Sequence, residues 1–153
     1  MSIDYNKDFN CSISPTYTNY ITVEDYNILF EAVGWGRCIP ARVQMALDRS
    51  DYLIAAQIEG RAVGMARVTH DGLQALIKDV MVLPDYQGQG IGKTMMKGVM
   101  AFLEDLSSDG GILVNLMSAR GKDSFYEQFG FKSGPNEKRG PGMTKWISKD
   151  AAK

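Results

Sequence analysis

The chain has 153 residues, 44% hydrophobic and 23% charged, a mixture that excludes a disordered or fibrous protein and predicts one globular domain over 1–153. Its 17 basic and 18 acidic side chains leave a formal net charge of −1, so no global field draws it to nucleic acid or to an anionic membrane surface. No window approaches the roughly 18 apolar residues that a membrane span needs.

The opening stretch, MSIDYNKDFN, has no basic segment followed by an apolar one, and so predicts no secretory signal. Cys11 and Cys38 form neither a disulfide framework nor a metal-ligand spacing, which is the pattern of a cytoplasmic protein with reduced thiols and no metal. Part of SISPTYTNYI is expected to form a first strand. Thr22, with Asp25 three residues on, then opens a capping box before YNILFEAV, and Gly34 stops that helix. Pro40 suits the first turn of a second helix reaching about Arg49. DYLIAAQI, RAVGMARVTH and LQALIKDVMVLP read as a meander of three strands with a glycine at each break. The last of them is the most apolar, and is expected to be central and covered on both faces. From about Gly90 to Ser107 the period changes: Ile91, Met95, Val99, Phe102 and Leu106 recur at helical spacing, with Gly98 inside the helix as a point of close packing. GILVNLMSA is a further strand, KDSFYEQF a short helix capped by Gly130, and FKSG and GMTKWIS two closing strands. The sum is a mixed α/β (α+β) fold with a single, mostly antiparallel sheet flanked by helices.

The stretch VLPDYQGQGIGKT, 82–94, places Gly88, Gly90 and Gly92 between a strand and a helix. The dinucleotide pattern G-x-G-x-x-G fails at Lys93. The nucleoside-triphosphate pattern G-x-x-x-x-G-K-[ST] ends correctly at Gly92-Lys93-Thr94 but begins at Gln87, and ILVNLM lacks the acidic residue that would help hold magnesium. A plain structural turn is the bland alternative. Consecutive amides leading into a helix start, with glycines that let a ligand come close and Lys93 beside them, point instead to an anion.

These residues resemble the acetyl-CoA loop of the GCN5-related N-acetyltransferases. Gln87, Gly90 and Gly92 meet the family's [Q/R]-x-x-G-x-[G/A], preceded by its V-x-P at Val82-Leu83-Pro84, and Phe125-Tyr126 with Gly130-Phe131 resembles its F-Y-x-x-x-G-F helix and cap. The resemblance runs from about Ile21 to Ile147. It implies the acyl-CoA N-acyltransferase fold and transfer of acetyl from acetyl-CoA to a primary amine by direct attack in a ternary complex; a small-molecule amine is the preferred acceptor, with a protein N-terminus or lysine still open. By matching position, the amides of Gln87, Gly88, Gln89, Gly90, Ile91, Gly92 and Lys93 hold the CoA pyrophosphate. The pre-loop strand, Val80-Met81-Val82, splays from the next one; Val82 then meets the pantetheine arm and the Val80 N–H the acetyl carbonyl. Asn115 contacts CoA or makes a structural hydrogen bond, and Tyr126 returns a proton to the departing thiolate. A homodimer is compatible with the family.

The general base is open. The strand position that carries glutamate or histidine in several family members is Leu76 here. Lys78 shares its parity, Asp79 has the opposite parity, and His70 and Glu31 are further candidates. Tyr26, Trp35 and Arg37 would shape the acceptor pocket. A non-catalytic acyl-CoA-binding module on the same fold is the competing reading.

Overall fold

The computed structural model describes residues 13–149, so Cys11 lies outside the described residues. The chain forms two compact units, the first ending at Asn115 and the second beginning at Leu116. The first contains β1 (Thr16–Thr18), α1 (Val23–Ala32), α2 (Pro40–Asp48), β2 (Tyr52–Ile58), β3 (Arg61–His70), β4 (Gln74–Val82), a 3₁₀ turn (Pro84–Tyr86), α3 (Ile91–Leu106) and all but the last residue of β5 (Leu113–Leu116); α4 (Asp123–Glu127) lies in the second.

The strands form one mixed sheet in the order β1-β2-β3-β4-β5. The first four pair antiparallel. After the α3 crossover, Leu113 N–H donates to Leu73 O at 3.3 Å, so β4 and β5 begin at the same edge and run in the same direction. Beyond that start they share little close contact, as expected of strands that part.

Local chemistry explains the helices. Asp25 N–H donates to Thr22 Oγ1 at 3.0 Å, the N-cap expected from the sequence. The Asp25 carboxylate does not close the reciprocal half of a capping box; it accepts the Ala62 N–H at 3.0 Å and pairs with Arg61 at 2.7 Å, fastening α1 to β3. Pro40 occupies the first turn of α2, where its missing N–H is no loss. On α3, Ile91, Met95, Met96, Val99 and Leu103 are buried, so the buried stripe takes Met96 and Leu103 in place of the expected Phe102 and Leu106, which are half-buried. Phe102 stacks on Tyr52 with ring centroids 4.9 Å apart.

Side chains alternate across the sheet. Leu53, Ala55, Met65 and Met81 join Tyr26, Leu29 and Val43 in the core under α1 and α2. Gly64 and Ile54 face α3: a Cβ on Gly64 would stand 3.1 Å from Met95 Cε and 3.0 Å from Met81 O. The middle strand is β3, with every residue from Ala62 to Val68 buried, whereas β4 lies one place further out with Leu76 exposed. The expectation that the most apolar strand is central is thus corrected. The centre of the sheet needs small residues, Ala62, Gly64 and Ala66, because helices press on it; hydropathy does not measure that need.

In the second unit, Gly130 caps α4 as expected, with φ +89° and its N–H on Glu127 O at 3.0 Å. The strands expected over FKSG and GMTKWIS do not form. The pairing there is one bridge, Asn136 to Arg139, and Met143, Trp146 and Ile147 are exposed. The apolar residues of that segment do not alternate, so no single face rewards pairing.

Gly98 permits the close approach of α3 to the sheet: a Cβ there would meet Tyr52 Oη at 2.7 Å and Ile54 Cδ1 at 2.9 Å. Gly98→Val is therefore expected to lower stability by about 1–3 kcal/mol, as overpacked sites do, read as a lower urea midpoint at unchanged m-value.

Candidate functional site

β4 delivers the chain into a turn that is tied to β3 at its start and closed beyond that by local hydrogen bonds. Leu83 N–H donates to Val63 O at 2.8 Å, Tyr86 N–H to Leu83 O at 2.9 Å and Gln87 N–H to Pro84 O at 3.2 Å. The Gln87 amide nitrogen reaches back to Val82 O at 2.9 Å, and that of Gln89 to Asp85 O at 3.2 Å. Gln87 is thus a brace of the turn, its N–H already engaged, where the sequence pattern counts that N–H among those facing a ligand.

Beyond the brace the amides turn outward. Gly88 and Gly90 lie in the left-handed region, with φ of +75° and +84°, and a Cβ on either would meet nothing within 4 Å. The first intrahelical bond of α3 is Thr94 N–H to Gly90 O at 3.0 Å, and Gly90 caps the helix without a side chain. Among the described residues, the N–H groups of Gly88, Gln89, Gly90, Ile91, Gly92 and Lys93 have no protein acceptor. A run of free donors at the positive end of a sixteen-residue helix, with open space over two glycines and the exposed Lys93 beside it, fits a diphosphate.

A few residues earlier along the same strand, β4 breaks step. Met81 pairs with Met65 and Lys78 with Arg67, so three steps on β4 match two on β3. Asp79 and Val80 form a β-bulge opposite Ala66, and Asp79 has φ +51°. The bulge corrects the parity reading. Asp79 does not turn away from Lys78; its carboxylate lies on the α1 side, where Oδ2 accepts from Arg67 Nε at 2.5 Å and from the Tyr26 hydroxyl at 3.0 Å. Arg67 also donates to Ser50 Oγ at 3.4 Å and Ala46 O at 3.5 Å. Burial, and then the Asp79 carboxylate, hold the Tyr26 phenol well above its ordinary pKa. Burial, and then Arg67, lower that of Lys78, with Asp79 partly opposing.

Val80 and Val82, on the strand that enters the turn, are half-buried and Met81 is fully buried. Asn115 Nδ2 donates to Gln74 Oε1 at 3.2 Å, the structural bond that was one of its two readings. Tyr126, in the second unit, is buried against Phe125 and Phe131, with centroids 5.0 and 6.3 Å away; burial raises its pKa, so the phenol keeps its proton. His70 is not brought to the loop. It pairs with Ala75 at the hairpin end of β4, whereas Val82 pairs with Gly64 at the other end, and its Nδ1 accepts the Gly72 N–H at 3.1 Å. Glu31 is engaged with Arg37 at 3.2 Å, and Trp35 packs edge-on against Phe30 at 5.4 Å. A cleft is lined by Thr22, Glu24, Asp48, Asp51 and Tyr52, and no residue of the 82–94 stretch borders it. Sequence reasoning missed Arg67 and misjudged Asp79; the charged pair Lys78-Asp79 inside an apolar run was the available sign of a bulge.

Comparison with known proteins gives the family and the fold. Residues 48–133, more than half of the chain, match the family model described as an acetyltransferase (GNAT) domain. GCN5-related N-acetyltransferase 1, chloroplastic, from Arabidopsis thaliana is 35% identical over 126 residues, covering 80% of this chain and 62% of that protein. Serotonin N-acetyltransferase 2, chloroplastic, from rice is 33% identical over 119 residues, covering 74% and 58%. The chain therefore spans about three fifths of the length of these relatives. A crystal structure of a probable acetyltransferase of unknown function from methicillin-resistant Staphylococcus aureus superposes with a TM-score of 0.77 at 27% identity, covering 86% of this chain and 99% of that one.

Arg67 and Asp79 are both largely buried, with side chains 10% and 14% exposed. Removing one partner strands the other charge in the interior, so Arg67→Ala is expected to cost about 3–5 kcal/mol, measured by urea unfolding, whereas truncating the exposed Arg37 of the Glu31 pair changes stability by less than about 1 kcal/mol.

Proposed function

This chain belongs to the GCN5-related N-acetyltransferase family, and on that premise we propose that it transfers the acetyl group of acetyl-CoA to the primary amine of a small molecule, by direct attack in a ternary complex. The observation that carries the reading is the run of unpartnered amides from Gly88 to Lys93 at the mouth of α3. A diphosphate there accepts several N–H bonds at once, gains from the helix dipole, and has Lys93 as counter-charge.

In this reading Gln87 holds the turn rather than the phosphate, through its bond to Val82 O. Val82 keeps the second lone pair of that carbonyl for the pantetheine amide. Asn115, with Nδ2 committed to Gln74, offers Oδ1 to the same arm. The Val80 N–H donates to the acetyl carbonyl beside the bulge, and Met81 anchors the strand through its buried side chain. Parting of β4 from β5 leaves the backbone edge that an extended pantetheine needs.

The chemistry is a displacement at the thioester carbon. The neutral amine nitrogen forms the new C–N bond, and the carbonyl oxygen gathers negative charge that an aimed N–H stabilises. Collapse breaks the C–S bond and returns the electron pair to sulfur, and the thiolate takes a proton from Tyr126. A phenol kept protonated by burial, with an intrinsic pKa near 10, is a donor matched to a thiolate. The new amide nitrogen gives up its extra proton to solvent, and solvent restores the proton of Tyr126; because the amine itself attacks the thioester, no acetyl-enzyme is formed and Cys38 has no part in the reaction. A small amine acceptor is the class that the rice relative's name carries.

Acetyl-CoA-dependent thiol release across a panel of arylalkyl, alkyl and amino-sugar amines tests the proposal; turnover with at least one supports it, and binding of acetyl-CoA without turnover of any amine contradicts it. Gly90→Glu forces a Cβ into a left-handed position, roughly 1–2 kcal/mol of strain, and sets a carboxylate against the diphosphate. Affinity for CoA, read by thermal shift, is expected to fall at least about tenfold. Tyr126→Phe is expected to lower kcat by about 100-fold or more while KM for acetyl-CoA stays within about twofold; a fully active variant would remove Tyr126 from the mechanism.

A further inference from the structure

Asp79 stands where a glycine would be cheaper. Its φ of +51° lies in the left-handed region, which most side chains avoid. The side chain supplies the reason for keeping it. Its Oδ2 gathers two donors from two other elements, Arg67 Nε from β3 and the Tyr26 hydroxyl from α1. Arg67 is in turn tied to Ser50 and Ala46 at the end of α2. Among the described residues, no buried side-chain nitrogen or oxygen lacks a hydrogen-bond partner. The kink in β4 is therefore held by two anchors, one of them braced in turn by the end of α2, and it falls one residue before Val80.

We infer that Asp79 is a positioning residue for the acetyl transfer proposed above: the Arg67–Asp79–Tyr26 network holds the left-handed kink of β4 and so aims the Val80 N–H at the acetyl carbonyl. The inference rests on that reading of the site. The physical link is short. The Val80 N–H belongs to the rigid peptide plane that joins Asp79 to Val80, so the backbone angles of Asp79 set its direction. A donor aids the reaction only when it points to where the oxyanion forms, and an error of about 1 Å in such a placement can cost 100-fold in rate. The same network joins α1 and the end of α2 to the reacting strand, so the helices expected to border the acceptor and the amide assigned to the acetyl group share one support.

Three variants test this: Asp79→Ala, Asp79→Asn and Tyr26→Phe. Asparagine tolerates the left-handed region and keeps one side-chain acceptor, so its kcat is expected within about tenfold of the parent. Alanine loses both properties, and kcat is expected to fall about 100-fold with KM for acetyl-CoA within about twofold. Tyr26→Phe removes one of two anchors and keeps the fold, so it decides the matter if the alanine chain does not fold; its kcat is expected to fall several-fold, by about 3–10. A rise in KM with unchanged kcat, or a loss of thermal stability with unchanged kcat, would overturn the inference.

The second readout needs no turnover. In ¹⁵N spectra of the free protein, the Val80 amide is expected to move in Tyr26→Phe and Asp79→Ala while those of Gly90 and Gly92 stay. A Val80 amide that stays in place overturns the network's role even if acetyl transfer is established. A parent protein that binds acetyl-CoA yet acetylates no amine overturns the transfer reading instead, and the amide comparison still decides whether the network aims Val80.

Discussion

The first amides of an α-helix have no partners within the helix, and everything in this molecule's reading turns on that fact. Elsewhere such donors are met by a capping side chain, as Thr22 meets Asp25 on α1. At the start of α3 the cap is Gly90, which has no side chain to offer, and the residues before it are bent outward by left-handed glycines. The local bonds of the turn stop at Gln87. From Gly88 onward the fold positions a set of donors and does not consume them. An anion with several acceptor oxygens is the natural complement.

Holding that set still is the work of the sheet and the helix behind it. Ile91, Met95 and Met96 anchor the first turns of α3, and Gly64 lets β3 lie close beneath Ile91 and Met95. On the opposite face, the buried network of Arg67, Asp79 and Tyr26 fixes the point where β4 changes step. Such a network adds little net stability over an apolar core, yet breaking it is costly. It is an expensive way to hold a strand unless the position of the strand matters. The loop and the kink are consecutive along one strand, so the group that would bind the diphosphate and the group that would meet the thioester are set by one continuous piece of rigid backbone.

Much of this was legible in the residues. The helical spacing of Ile91, Met95 and Val99, the cap at Thr22, Pro40 at a helix start and the glycine-broken meander all correspond to elements within a residue or two. The glycine loop was legible because its chemistry is local: neighbouring residues along the chain make it. What escaped was non-local. Strict alternation put Asp79 and Lys78 on opposite faces, and one inserted residue in β4 cancels that alternation. The central strand was misjudged because close packing selects alanine and glycine, which hydropathy ranks low. The closing strands were expected from composition, but a strand is realised only where another offers its edge, and 131–149 carries no pattern that says which.

The most direct test of the central claim is a crystal structure grown with CoA. The account predicts the diphosphate within hydrogen-bond reach of the amides between Gly88 and Lys93, with the pantetheine running along the β4 edge toward Val80. A diphosphate bound elsewhere, or an empty loop at saturating CoA, would contradict it.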